Sequence, residues 1–112
     1  MDDCIFCKIA AGRLGSLVFE DDELAAFKDI SPAGPVHVLI VPKEHIPGIK
    51  EVEGDAGIIG RMAARAVGIA RETGIFDTGF RLVVNSGPDG GQSVEHLHMH
   101  LLGGRPFGWP PG

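Results

Sequence analysis

Cysteine is scarce in this chain. Only Cys4 and Cys7 are present among 112 residues, both near the N-terminus, and this excludes a secreted scaffold held by disulfides. Concentrated positive charge is also missing. Ten Lys and Arg are scattered among fifteen Asp and Glu, for a formal net charge of −5, so the basic footprint of a nucleic-acid binder is not there. A small nucleotide stays compatible, because a local pocket can hold one phosphate within an acidic whole. No segment supplies the ~20 apolar residues that span a bilayer. Acidic Met1-Asp2-Asp3-Cys4 lacks the basic region and long apolar run of a secretory leader. The expectation is a soluble, cytoplasmic protein with neither membrane nor nucleic acid among its partners. Repeats, linkers and low-complexity tracts are lacking too. With 44% hydrophobic residues the chain is expected to fold as one domain, 1–112, burying about two-thirds of the surface its unfolded form exposes.

What the chain does have is histidine in an unusual place. Three of its five histidines alternate in His96-Leu97-His98-Met99-His100-Leu101-Leu102. Alternate strand residues share a face, so the imidazoles are expected on one side and Leu97, Met99 and Leu101 on the buried other side. Such a face suits a surface strand, a metal site or phosphate chemistry. The preceding Gly90-Gly91-Gln92-Ser93 favours phosphate, since its backbone N–H groups can turn inward as an anion nest. Cys4-Ile5-Phe6-Cys7 fits zinc or redox chemistry, but redox chemistry needs a thioredoxin-like βαβ context, and none follows.

The remaining pattern predicts an α+β fold. A short helical turn is expected over 7–11, ended by Gly12. Strands are expected over 16–20, 24–28 and 36–41, the last nearly all apolar or β-branched. Asp55 precedes a helix whose Ile59, Met62, Ala63, Ala66 and Ala70 recur at helical spacing, with Gly74 as its stop. Gly57, Gly60 and Gly68 each cost that helix up to ~1 kcal/mol, so packing on a sheet must support it. Two final strands, over 80–85 and 95–102, are expected side by side and antiparallel.

Four ordered blocks carry a family resemblance: Asp29-Ile30-Ser31-Pro32; 36–45, ending in Pro42-Lys43-Glu44-His45; Val83-Val84-Asn85 with Gly90-Gly91-Gln92-Ser93; and the alternating histidines. Together they resemble the histidine triad (HIT) family from about Ile5 to Gly112. Gly103-Gly104-Arg105 and Trp109-Pro110-Pro111-Gly112 resemble its Hint branch, although Pro106-Phe107-Gly108 replaces a more polar segment. The resemblance implies a five-stranded antiparallel sheet with one long helix and a short N-terminal one. It implies a hydrolase of purine nucleoside phosphoramidates, with His98 as the nucleophile that becomes nucleotidylated. His100 and Ser93 would contact the phosphate.

The same resemblance puts Asp29 on the ribose hydroxyls, although capping a turn at Ser31-Pro32 is the alternative. Asn85 would lie near the phosphate, or merely end a strand, and Gly91, Gln92, Ser93 and Val94 would border the nucleotide. Ile5, Phe6, Phe27 and Ile30 are candidates for the base cleft or for plain core. His37 reads as a hydrogen-bonded structural residue. Bacterial relatives with a Cys-x-x-Cys imply a structural zinc held by Cys4, Cys7, His45 and His96, with no catalytic metal. The implied partners are a purine nucleotide (AMP, GMP or a derivative) and a second copy of the chain. A homodimer would cover an exposed strand edge and a helix of small residues, and would order the Trp109 tail. The alternatives are a dinucleoside polyphosphate hydrolase, against which the Trp-Pro-Pro-Gly ending argues, and a nucleotide-binding scaffold with little turnover.

Overall fold

The computed structural model describes residues 3–112; Met1 and Asp2, half of the acidic N-terminus, lie outside the described residues. Five antiparallel strands form one sheet in the order β1-β2-β3-β5-β4: β1 Phe19–Glu20, β2 Leu24–Lys28, β3 Val36–Pro42, β4 Phe80–Val83 and β5 Met99–Gly103. Helix α1 (Ile5–Ala10) packs on β2 and β3, and helix α2 (Gly57–Glu72) packs on β3, β5 and β4. A four-residue helix, α3 (Gly87–Gly90), sits in the glycine-rich loop. The α+β architecture is as the sequence predicts.

Strand period two gives the sheet two separate cores. Leu24, Ala26, Val38, Ile40, Leu97, Met99 and Leu101 face α2, while Ala25, Phe27, Leu39 and Val41 face Phe6 and Ala10 of α1. Being buried on both sides is why β3 reads as a continuous apolar run rather than an alternating one. Ala25 and Ala26 of β2 are fully buried on opposite faces.

Several element limits differ from expectation. The buried stripe of α2 is Ile58, Met62, Ala66, Ile69 and Ala70, which leaves the expected Ile59 and Ala63 half-buried at its flank. Asp55 caps nothing: the residue before the helix is Ala56, without a side-chain cap, and the Asp55 carboxylate accepts from Arg61 at 2.7 Å. The stop is as expected. Gly74 has φ +81°, and the N–H groups of Gly74 and Ile75 donate to Arg71 and Ala70, closing the helix with a Schellman pair.

The strand expected over 95–102 begins only at Met99. The ladder with β3 ends at Ile40↔Met99. Upstream, Leu97 N–H donates to Ile46 O, and the Pro42 carbonyl is taken by the His96 ring. Residues 95–98 therefore bend away, although Leu97 remains buried beside Met99 and Leu101. The first strand is likewise shorter than 16–20, and residues 14–18 instead wall a cleft.

Candidate active site

Beneath α1 the sheet presents an imidazole-rich surface. His98 and His100 lie with ring centroids 5.0 Å apart, and Phe6 of α1 sets its ring edge-on to His98, also at 5.0 Å. The hydrogen bonds assign a tautomer to each ring. His98 Nδ1 sits 2.7 Å from the carbonyl oxygen of its neighbour His96. The carbonyl can only accept, so Nδ1 carries the proton and Nε2 carries the lone pair.

His37 is a hydrogen-bonded structural residue, as expected; what the sequence did not show is its partner, His100. His37 Nδ1 accepts from Ala33 N–H at 3.0 Å, so its proton is on Nε2, which donates to His100 Nδ1 at 2.8 Å. His100 must then carry its own proton on Nε2, and that buried atom has no partner among the described residues. A buried donor without a partner costs about 1–3 kcal/mol, so a ligand oxygen there is favoured. The signal was a matter of register. His37 shares a face with His100 only because β3 and β5 align Leu39 with His100 and His37 with Leu102.

Asp29, His37 and His100 lie close enough to suggest a cation site. Their tautomers argue otherwise, because a protonated Nε2 on His37 has no lone pair for a metal. His37 and His100 are instead joined by one hydrogen bond, with the Asp29 carboxylate beside them. Asp29 Oδ1 accepts from Ser31 N–H at 2.8 Å, which is the turn-capping role, while Oδ2 lies 3.5 Å from His37 Nε2. Both of its sequence readings are thus open to one carboxylate.

Burial, with the nearby charges of His98 and His37, pushes His100 down to about 4. Its ordinary value is near 6.5, so the unfolded chain binds a proton that the folded one refuses. Stability from this group is complete above about pH 6.5 and is lost as pH falls towards 4. We expect the unfolding free energy to fall by up to ~3 kcal/mol across that window. His100→Gln should lose less, as measured by urea titration at pH 7 and pH 4.5. Equal losses in the two proteins would reject the assignment.

A cleft of about 920 Å³ lies on the α1 side of the sheet, lined by Phe6, which touches His98, and by Asp29, which lies near His37. Ile5, Phe6 and Ile9 of α1 form one wall, residues 27–30 a second, Ser93 and Val94 an edge, and residues 14–18 the far end. Ile30 is 98% exposed at the rim, so it is not core. Phe6 and Phe27 are buried and meet edge-on at 5.3 Å. The glycine-rich loop uses more of its own polar groups than expected. Gly91 and Gln92 N–H donate to Pro88 and Gly87. The Gln92 amide donates to Pro47 and Val94 carbonyls and accepts from Gly87 N–H, so it shapes the loop. Asn85 lies two residues beyond Val83, which pairs with His100.

At the other end of the histidine run, Cys4 and Cys7 flank the first turn of α1. Cys4 Sγ and Cys7 Sγ lie 3.3 and 3.5 Å from His96 Nδ1, and Cys7 Sγ lies 3.3 Å from His45 Nδ1. All four donor atoms fall within 4.8 Å of one another. His96 Nε2 donates to the Pro42 carbonyl at 2.8 Å, which leaves Nδ1 as a lone-pair donor towards the sulfurs. Two thiols and two imidazoles at these separations suit a tetrahedral ion with bonds of about 2.0–2.3 Å, and the carbonyl behind His96 is the orienting partner such ligands have. The group can hold a metal. Burial and the adjacent Cys4 sulfur push the Cys7 thiol up, so metal loading must release protons.

The arrangement matches one family model, the HIT domain, over residues 14–107. The chain belongs to the HIT family. This HIT protein is 47% identical to a 14 kDa zinc-binding protein of Brassica juncea over 98% of its own length and 100% of the relative's. It is 47% identical to an adenylylsulfatase of Arabidopsis thaliana, covering 96% and 76% of the two chains. It is 45% identical to the purine nucleoside phosphoramidase of Escherichia coli, covering 96% and 92%. Among solved structures, a HIT family hydrolase of Legionella pneumophila superposes with a TM-score of 0.93 at 46% identity, covering 98% of this chain and all of the other. Among the described residues, no helix is long and apolar enough to cross a membrane.

Proposed function

We propose that this HIT protein, as one domain over residues 1–112, hydrolyses purine nucleoside 5′-phosphoramidates through a covalent nucleotidyl-histidine. The observation that carries the reading is the His98 tautomer, with Nδ1–H fixed on a carbonyl 2.7 Å away and Nε2 left with its lone pair. Nε2 attacks the α-phosphorus and forms an N–P bond. The bond from phosphorus to the leaving nitrogen breaks, and its electron pair leaves with the amine. Ser93, on the edge of the cleft, supplies the proton. Water then attacks the phosphorus and returns a proton to the Ser93 oxygen, His98 departs with its lone pair restored, and the nucleoside monophosphate is released.

His100 Nε2–H is the donor for the phosphate oxygens, where negative charge grows during attack. Asp29 accepts from the ribose hydroxyls, and the base lies among Ile5, Phe6, Phe27 and Ile30. Gly91, Gln92, Val94 and Asn85 complete the nucleotide's surroundings by shaping the loop beside the phosphate. The Escherichia coli relative is named a purine nucleoside phosphoramidase and the Arabidopsis thaliana relative an adenylylsulfatase, and attack by His98 on an α-phosphorus would serve this chain with either kind of leaving group. Zinc is proposed at Cys4, Cys7, His45 and His96, as the name of the Brassica juncea relative suggests.

Steady-state rates on adenosine and guanosine phosphoramidates, set against dinucleoside polyphosphates and adenylyl sulfate, test the substrate class. Phosphoramidates are expected to have the highest kcat/KM. A preference for either competitor would reassign the activity.

The working form is proposed to be a cytoplasmic homodimer. β4 is a sheet edge with Leu82 36% exposed, and Trp109 is 84% exposed, and a second copy would cover both. The tail is better anchored than its sequence suggested. Phe107 stacks under the Arg105 guanidinium at 4.3 Å, and Arg81 donates to Gly108 O at 2.8 Å. Only the end from Trp109 needs a partner. Light scattering at micromolar concentration is expected to give twice 11.8 kDa, and a monomer would refute the dimer. Truncation after Gly108 should alter preference among leaving groups more than nucleoside affinity. Unchanged kinetics across several leaving groups would confine the tail to packing.

A further inference from the structure

We infer that Cys4, Cys7 and His96 are positioning residues for the nucleotide, so that metal occupancy and nucleotide affinity are linked. This rests on the nucleotide reading above and goes beyond a metal that only braces the fold.

The metal-ligating group shares one structural part with the cleft and another with the nucleophile. The first is α1. Cys4 Sγ accepts from Cys7 N–H at 3.4 Å, capping the helix, and both sulfurs face His96. Between and just beyond these two cysteines lie Ile5, Phe6 and Ile9, the α1 wall of the cleft. A helix of six residues cannot hold itself together in water. Of its side chains only Phe6 and Ala10 are buried, and Ile5 is 46% exposed. Its place on the sheet therefore depends on few apolar contacts and on whatever ties down its two cysteines.

The second shared part is residue 96. Its Nδ1 faces the sulfurs, its Nε2 donates to Pro42 O, and its own carbonyl accepts the His98 Nδ1 proton. Any shift of the His96 backbone moves the acceptor that orients His98. Phe6 transmits the same constraint from the other side, its ring lying 6.1 Å from His96 and 5.0 Å from His98. A metal bound at the four ligands would thus fix one wall of the cleft and the orientation of the nucleophile together. Reciprocity then requires that bound nucleotide tighten the metal by the same factor that metal tightens nucleotide.

The test starts from the zinc-loaded protein titrated with AMP and GMP by calorimetry, then repeats the titration after chelation, with circular dichroism to follow the fold. Chelation is expected to weaken AMP binding at least ~10-fold and to raise KM more than it lowers kcat. Protein refilled with cobalt supplies a readout that a remote brace would not move: saturating AMP is expected to shift the visible ligand-field bands. If the zinc-loaded protein binds neither nucleotide, the nucleotide reading itself fails. Loaded protein that binds AMP, with chelated protein binding it within twofold and cobalt bands unmoved, overturns the linkage alone. Should chelated protein unfold, the cobalt spectrum decides, and bands unmoved by AMP overturn it.

Discussion

His98→Ala is expected to lower kcat/KM for an adenosine phosphoramidate by at least ~10³-fold, because its Nε2 is the proposed nucleophile and no other ring replaces it. His96 directs its lone pair to the cysteines, and His100 Nδ1 is occupied by His37. The substitution also strands the His96 carbonyl that accepted from His98, a cost of about 1–3 kcal/mol, so melting should drop by several degrees without loss of the fold. Mass spectrometry of rapidly quenched wild-type protein should show a nucleotidyl adduct that the variant lacks. Near wild-type turnover by His98→Ala would end the covalent mechanism. His100→Ala should be milder, about 10–100-fold, since it removes one phosphate donor among several.

Removing the metal, or substituting Cys4 by Ala, is expected to lower the melting temperature by more than ~10 °C. Ligand binding to a folded site is folding free energy, and each 1 kcal/mol shifts a domain of about this size by ~4 °C. The site joins the N-terminal segment, the His45 loop and the approach to β5, elements distant in sequence whose disengagement would expose Phe6 and Leu39. Elemental analysis of protein purified without added metal should find one zinc per chain, and its thiols should resist titration until a chelator is added. Absence of zinc together with two freely titratable thiols would remove the site.

The sequence legibly carried those features that depend on periodicity and on local chemistry. The apolar run of β3 announced a strand buried on two faces, and Leu97, Met99 and Leu101 are buried as their alternation required. Gly74 stops α2 because its φ of +81° suits a residue without a side chain. The four residues that could hold a metal were reachable only through family resemblance, since Cys7 and His45 stand far apart in sequence and meet only in the fold. Asp55 misled because it is a good cap in isolation, whereas here Arg61, itself paired to Glu23, competes for its carboxylate. Of the expected helix stripe Met62, Ala66 and Ala70 are buried, while Ile59 and Ala63 yield to Ile58 and Ile69, because neighbouring apolar residues look alike in the sequence and only the sheet selects among them.

The chain by itself therefore determined the residue types available for chemistry: three alternating histidines, a cysteine pair, and an apolar sheet interior within an acidic surface. Tertiary structure decided what each histidine does. Identical side chains became a sulfur-facing donor at His96, a lone-pair nitrogen at His98, and a proton donor held by His37 at His100. The reason is that an imidazole's tautomer is set by the partner at its other nitrogen. Those partners are the carbonyls of Pro42 and His96 and the ring of His37. Two of them reach the histidine run only after β3 and β5 have paired, because the register between strands, and not the sequence along either one, brings them within hydrogen-bonding distance.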